Sequence, residues 1–465
     1  MQVKKNVILI MLGCFIIRFI FIFAKDISVD ESALLFISKY PLFEIVNVMR
    51  SCGEVHPPLY FFFCHFWQML GNSEFILRLS SVIFSSLSVP IIWLLTFEIS
   101  KSEKISYLAT ILFCISSFDI EFACEFRMYS CLTFLFLCAI YTCLKYLDTE
   151  ENKYLIANII VGLIGVSVHF LFIFCILAEL IIYLLNKKIK DCLYQLIPIS
   201  LFCYYFFTTK SQDMTIRETP DMWHLVMLFS KMLAGEGFLP TYGIADPWDE
   251  PILIFGGIGL LFFIPCFLLY LDKSKYLLIT LSSFFIPVFL LSCFTNIKIF
   301  EYKYFVVMFP FFIITISILI TKLTQSMNFT LLFLLIFIPA NIFSSISLFY
   351  DSNFKGPDWR ATAQFIENNC KEDELAVVFP SMMSLPVDYY LKRKKQLLPA
   401  NKIDKNFVEI ASGFKNIWFC SLTNHPYVLK EKPNEILQYI YVEKKKIEIE
   451  SHQSKDSISI VKYSI

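Results

Sequence analysis

Apolar runs long enough to cross a lipid bilayer recur along this chain from Val7 to Tyr350 and then stop. A hydrocarbon core of about 30 Å takes about 17 to 25 residues of helix to span. Inside it every backbone N–H and C=O must find a partner within its own segment, so such runs dictate helices. They predict about eleven, at 7–23, 75–97, 105–120, 128–147, 154–168, 170–185, 192–208, 252–271, 276–294, 304–321 and 329–350. Composition agrees: 57% of residues are hydrophobic, only 17% are charged and mean hydropathy is +0.63, whereas a soluble domain is about a quarter charged. The expected class is a polytopic α-helical membrane protein.

Beyond the last run the character changes. An amphipathic helix pattern from Trp359 to Asn368 is followed by apolar stretches Leu375–Phe379 and Ile417–Cys420 of strand length. The expected organisation is therefore a transmembrane domain over 1–350, with a long loop at 24–74, and a small soluble α/β domain over 351–465. Lys4-Lys5 and the run Val7–Phe23 resemble a signal peptide, but no small-x-small cleavage site follows, so a retained first helix is expected.

Lysines set the expected orientation. Lys101, Lys104, Lys145, Lys153, Lys187, Lys188, Lys190, Lys273 and Lys275 all fall in alternate short loops, which the positive-inside rule assigns to the cytoplasm. Loop 24–74, segment 209–250 and the tail after Tyr350 then lie outside. Phe36, Tyr40, Phe43 and Val46, interleaved with Lys39, Glu44 and Arg50, suit a segment lying flat on the membrane, as does 221–234. Formal net charge is zero and basic residues are scattered, so no nucleic-acid partner is implied. Lys392-Arg393-Lys394-Lys395 and Lys444-Lys445-Lys446 fit solvated faces. Most of the fifteen cysteines, Cys14, Cys114 and Cys175 among them, lie in apolar runs and fit packing roles. Cys370 and Cys420 fall in the tail, where they can pair if it faces an oxidising compartment.

Charge near a membrane segment is costly and marks candidate chemistry. Asp30-Glu31 follow the first helix. A carboxylate at the edge of an apolar cavity can take a proton from an attacking hydroxyl, and desolvation raises its pKa toward a useful range; Asp30 equally fits a helix N-cap. His56-Pro57-Pro58-Leu59-Tyr60 holds a histidine at the mouth of an aromatic run, where it can donate to a phosphate oxygen or simply close a turn. Glu125-Phe126-Arg127-Met128-Tyr129, with Asp119 and Glu121 just before, offers a forked guanidinium suited to a phosphate or to an ion pair with Glu121 or Glu125. His169, Lys298, Glu301, Lys303 and Tyr304 form a looser group. Arg18 and Glu179 lie inside helices and carry no assigned role.

In order along the chain, Val29-Asp30-Glu31-Ser32-Ala33, His56-Pro57-Pro58-Leu59-Tyr60, Leu70-Gly71-Asn72-Ser73-Glu74, Leu77-Arg78-Leu79-Ser80-Ser81 and Glu125-Phe126-Arg127-Met128-Tyr129 resemble glycosyltransferase family 39, the group of the protein O-mannosyltransferases and the lipid A aminoarabinose transferases. His169-Phe170, Tyr302-Lys303-Tyr304-Phe305 and Pro357-Asp358-Trp359-Arg360 extend the resemblance to about residue 370. It departs at two places: His56 stands where the aminoarabinose branch has Lys, and Lys303 where many relatives have Arg.

The resemblance implies a GT-C type enzyme of the cell envelope in a bacterial inner membrane, with an extracytoplasmic site. It would be a hexosyl- or pentosyltransferase using a polyprenyl-phosphate sugar donor and a lipid, glycan or protein acceptor. Asp30 would be the base, with Glu31, His56, Tyr60, Glu125, Arg127, Tyr129, His169 and Lys303 around donor and acceptor. No cofactor is required for a donor with one phosphate; a divalent ion, if any, would sit on Asp30 and Glu31. The implied chemistry is a direct displacement that inverts the anomeric carbon. A transporter or flippase for a lipid-linked sugar would use the same phosphate-binding residues without a base. It would place them near the bilayer midplane, however, whereas these cluster at one rim.

Overall fold

The computed structural model describes residues 5–209, 219–235, 274–324 except 296 and 298, 327–350, 357–393, 396–399, 410, 413–414, 416–422, 443–444 and 458–464. The expected helix at 252–271, Lys298 and parts of the basic tail runs lie outside these residues. The chain divides into two compact units, one of residues 1–22 and 37–347, the other of 23–36 and 348–465. The segment Phe23–Phe36, expected to belong with the membrane domain, therefore groups with the C-terminal part.

The first unit is helical. Its principal elements are α1 (Lys5–Phe21), α3 (Ile45–Ser51), α4 (Leu59–Trp67), α5 (Glu74–Ser100), α6 (Glu103–Ile115), α7 (Ser117–Ala123), α8 (Tyr129–Thr149), α9 (Asn152–Val168) and α10 (Ile173–Leu185), with α2 (Val29–Ser38) mostly in the second unit. Further helices cover Leu196–Thr208, Met222–Ala234, Lys275–Phe294, Phe309–Thr324 and Met327–Tyr350. Four helices among the described residues are long and apolar enough to cross a membrane, or five if α6 and α7 form one bent span. This is a polytopic integral membrane protein.

Its helices are apolar outside and partly polar inside, which lipid requires. Leu9, Leu12, Ile16 and Ile20 of α1 are exposed while Arg18 is fully buried. The inner face of α5 carries Ser80, Ser81, Ser85, Ser86 and Ser88, small residues that let α1, α6 and α8 approach it.

The expected continuous helix 105–120 is instead broken by 58° between α6 and α7. Its apolar periodicity runs on, but buried polar partners take over the backbone groups at the break. Arg18 donates to the Phe113 and Cys114 carbonyls (3.2 and 3.1 Å), satisfying the C-terminal end of α6. The Asn341 carboxamide oxygen accepts from Ser117 N (3.0 Å) at the start of α7. Arg18 is neutralised by Asp119, its Nη2 2.8 Å from Oδ2, with Ser85 Oγ on the same oxygen at 2.7 Å.

The helix Met222–Ala234, expected on the membrane surface, is packed instead: Leu228, Phe229, Met232 and Leu233 are buried, and Leu233 O accepts from Asn341 Nδ2 at 2.7 Å. Lysines gather at one end of the bundle. Lys101 and Lys145 both pair with Glu98, and Lys188 pairs with Glu150.

The second unit contains a five-stranded mixed sheet of β1 (Leu375–Phe379), β2 (Gln396–Pro399), β3 (Asn416–Leu422), β4 (Glu443–Lys444) and β5 (Ile458–Ser464), in the order β2-β1-β3-β5-β4. β1 runs parallel to β2 and β3, and β5 antiparallel to β3 and β4. All five residues of β1 are buried, as in a strand covered on both faces. Helix Trp359–Asn369 lays Trp359, Ala363 and Ile366 on Ala376, Val378, Trp418 and Cys420. Cys370 and Cys420 are both buried thiols, and burial pushes that of Cys420 up to about 12.

Candidate functional site

At the end of the bundle opposite the paired lysines, four short connections bring polar side chains together. The Pro57-Pro58 pair turns the chain into α4 and leaves His56 just before it. Glu54 orients that ring. Its Oε1 accepts from the backbone N–H of Val55 and His56 (2.9 and 3.1 Å) and is paired with His56 Nδ1. Burial alone would raise the Glu54 carboxyl, but the adjoining His56 and the Arg127 charge bring it down to about 2. The carboxylate is therefore ionised, so His56 Nδ1 is the donor.

Arg127 lies in the turn between α7 and α8, and its backbone is fixed independently of its side chain. Its N–H donates to Glu125 O (2.8 Å), and its carbonyl accepts from Tyr60 Oη (2.8 Å) and Ser81 Oγ (3.3 Å). Tyr60, expected to meet substrate, is 1% exposed and braces Arg127 from below. Glu125 contributes its carbonyl to the same turn. The Arg127 guanidinium stands 5.9 Å from the centre of the buried Tyr129 ring.

His169 ends α9 in an extended conformation, its N–H bonded back to Gly165 O (3.0 Å). Gly165 is required here, because a Cβ would stand 2.4 Å from the Phe172 ring that folds back over it. Leu171 N–H donates to His169 Nδ1 (3.0 Å), which assigns the remaining ring proton to Nε2. That nitrogen is buried and has no hydrogen-bond partner among the described residues. Burial first, then the nearby charges of His56, Arg127 and Lys303, push the imidazole well below its ordinary pKa. His169 is thus a neutral, buried N–H donor, and such a donor carries a cost until an acceptor arrives.

Aromatic rings join these groups. The His56 and His169 rings meet at 4.6 Å, and Tyr304 lies 5.7 Å from His169 and 6.2 Å from Tyr129. Lys303 stands 5.9 Å from the Tyr304 ring and 3.2 Å from Glu301. His56, Arg127, Tyr129, His169 and Lys303 are therefore one cluster, rich in donors. Sequence reasoning missed Glu54 as the group that orients His56; its signal was the Glu-x-His spacing beside the prolines.

Asp30 and Glu31 belong to the second unit. Ser28, not Asp30, caps α2: Glu31 N donates to Ser28 Oγ (3.1 Å), and Ser28 N donates to Glu31 Oε2 (2.8 Å). This reciprocal pair is a capping box. It turns the buried Glu31 carboxylate back on its own backbone and leaves Asp30, in the first turn, exposed. Among the described residues no group of three or more His, Cys, Asp or Glu is placed to hold a metal ion.

Residues 55–209 match the family model described as dolichyl-phosphate-mannose-protein mannosyltransferase. The fold matches that of ArnT from Cupriavidus metallidurans, in a structure bound to undecaprenyl phosphate, with a TM-score of 0.57 and 11% identity over 99% of this chain and 98% of that one. Over residues 55–209, a third of its length, the chain is similar to the protein mannosyltransferases, and its fold as a whole is that of the ArnT structure. The archaeal oligosaccharyltransferase AglB from Archaeoglobus fulgidus, in complex with an inhibitory peptide and a dolichol-phosphate, shares the fold at a TM-score of 0.53 and 10% identity, over 90% of this chain and 69% of its own. No curated protein matches the chain in sequence.

Proposed function

We propose that this protein is an inverting glycosyltransferase that moves a sugar from a polyprenyl phosphate to an acceptor hydroxyl at the outer face of a bacterial inner membrane. The observation that carries the proposal is the donor cluster around His169. A neutral buried N–H, a guanidinium, an ammonium and an oriented imidazole gather around the Tyr129 and Tyr304 rings, which suits a phosphate that gains negative charge as it leaves. The structures of ArnT with undecaprenyl phosphate and of AglB with a dolichol-phosphate support a lipid phosphate on this fold. The lysines paired at the opposite end of the bundle support an outward-facing cluster.

In this reaction Asp30 takes the acceptor's proton. The acceptor oxygen bonds to the anomeric carbon as the bond from that carbon to the phosphate oxygen breaks, and the electron pair leaves with the polyprenyl phosphate. Arg127, His169, His56 and Lys303 stabilise that charge, and little water competes with them at a membrane edge. No step needs a metal, since the donor carries a single phosphate.

Asp30→Asn tests the reading. It keeps the shape and the helix position but cannot accept a proton, so transfer should fall about a hundredfold or more, the usual scale of general-base catalysis. The measurement is transfer by purified protein from a panel of labelled polyprenyl-phosphate sugars, with melting temperature as the folding control. A stably folded Asp30→Asn protein that transfers normally would overturn the mechanism and favour a transporter.

A further inference from the structure

The segment that carries Asp30 is held by the C-terminal domain, through contacts that fall immediately before the carboxylate. Asp26 Oδ2 accepts from the backbone N–H of Arg360 (2.9 Å), and Arg360 Nε lies 3.5 Å from Asp26 Oδ1. Arg360 is in the first turn of helix Trp359–Asn369, where Asp358 already caps the N–H of Ala361 (2.8 Å). Asp26 is thus a second carboxylate on that helix N-terminus, satisfying a donor with no partner inside the helix and complementing its dipole.

One residue on, Ile27 N–H donates to Tyr390 Oη (2.8 Å), and the Arg360 guanidinium lies 5.1 Å over the Tyr390 ring. Val29 then packs against the core that includes Trp359, Ile366 and Val387. Ser28 starts α2 directly after these anchors and its capping box fixes the first turn. Asp30 therefore leaves the helix from a point set by residues more than three hundred positions away in sequence.

We propose that Asp26, Arg360 and Tyr390 are positioning residues for Asp30, and that the C-terminal domain acts as a clamp setting where the base stands. The proposal rests on Asp30 being the base. A base must stand within hydrogen-bond reach of its proton, and displacement of about 1 Å costs about a hundredfold in rate. None of the clamp residues belongs to the donor cluster around His169, so loosening the clamp should alter proton transfer while leaving donor binding intact.

The test compares Tyr390→Phe, Asp26→Ala and Asp26→Asn with wild type in purified full-length protein, measuring kcat, KM for the polyprenyl-phosphate donor and melting temperature. Tyr390→Phe and Asp26→Ala should each lower kcat about tenfold to a hundredfold with donor KM unchanged. Asp26→Asn keeps an oxygen that accepts from Arg360 N–H, so it should recover most of the loss seen with alanine. If a variant melts lower, hydrogen exchange decides: faster exchange confined to residues 26–36, with β1 still protected, supports the clamp. Uniform loss of protection across the sheet overturns it, as do wild-type kcat values or losses that follow donor KM. With Asp30→Asn inactive, fully active clamp variants sink this proposal alone; an active Asp30→Asn protein sinks both.

Discussion

Replacing Arg127 by lysine separates a phosphate ligand from a structural cation. The substitution keeps one positive charge and removes the planar fork. Residue 127 is held by its own N–H and C=O, bonded to Glu125 O and to the Tyr60 and Ser81 hydroxyls, so the turn between α7 and α8 should survive. At 5% exposure the guanidinium is largely shielded, and salt screens it less than it would a surface charge. A hydrogen bond to a charged group contributes about 1.5–3 kcal/mol. Losing one of two parallel bonds to a phosphate should therefore weaken binding by about tenfold to a hundredfold, since about 1.4 kcal/mol is a factor of ten.

The assay is titration of nanodisc-held protein with a polyprenyl phosphate, followed calorimetrically, beside a melting curve. Arg127→Ala should bind more weakly still. It should also raise the Glu54 carboxyl, because Arg127 is one of the charges holding that group down. Wild-type affinity in stably folded Arg127→Lys and Arg127→Ala proteins would refute the phosphate role and leave an ion pair with Glu121 or Glu125 as the function of this side chain.

Glu54 gives a pH signature. Its carboxyl is depressed in the folded protein to about 2, so its contribution is present in full above the ordinary glutamate range and is lost as pH falls through that range toward 2. With 16% of the side chain exposed, the shift corresponds to about 3 kcal/mol; the melting temperature of Glu54→Gln should lie below wild type at pH 7 and converge with it near pH 2, and parallel curves would contradict the pairing. His169 is pushed well below its ordinary value, so it should add no break to donor binding between pH 6 and 8; a break there that disappears in His169→Gln would show that it titrates. For topology, cysteines placed at Ser381 and Lys153 should react from opposite sides of the membrane, and labelling of both from the cytoplasm would reverse the proposed orientation of the site.

Local order was legible where one residue type decides it. Apolar run length located the long apolar helices among the described residues, because lipid leaves the backbone no alternative. The pattern around Trp359 marked a helix whose observed extent is Trp359–Asn369, and the apolar stretches near 375 and 417 coincide with β1 and β3. What depends on partners distant in sequence was not legible. The break at Ser116 needs Arg18 and Asn341, neither of which any pattern near residue 116 announces. Tyr60 looked like a ligand because its motif faces the site, yet its hydroxyl is committed to the Arg127 carbonyl. The start of α2 does carry a local signal: Ser-x-x-Glu at 28–31 is a capping-box signature, two residues before the Asp30 alternative.

That capping box bears on how the two carboxylates divide their work. Paired acids beside a membrane suggest a metal site or interchangeable bases, and either would make Glu31 a natural substitute for Asp30. The geometry separates them. Glu31 is 1% exposed and accepts from the N–H of Ser28, so moving it toward substrate would break its half of the capping box. Asp30, in the same turn, is exposed and its position costs the helix nothing, since an acid in the first turn favours the dipole. Glu31 therefore builds the turn, and Asp30 is the carboxylate that meets the acceptor in the proposed reaction. In the proposed mechanism Glu31 could take over the proton transfer only by giving up its bond to the Ser28 N–H, at the helix start that carries Asp30.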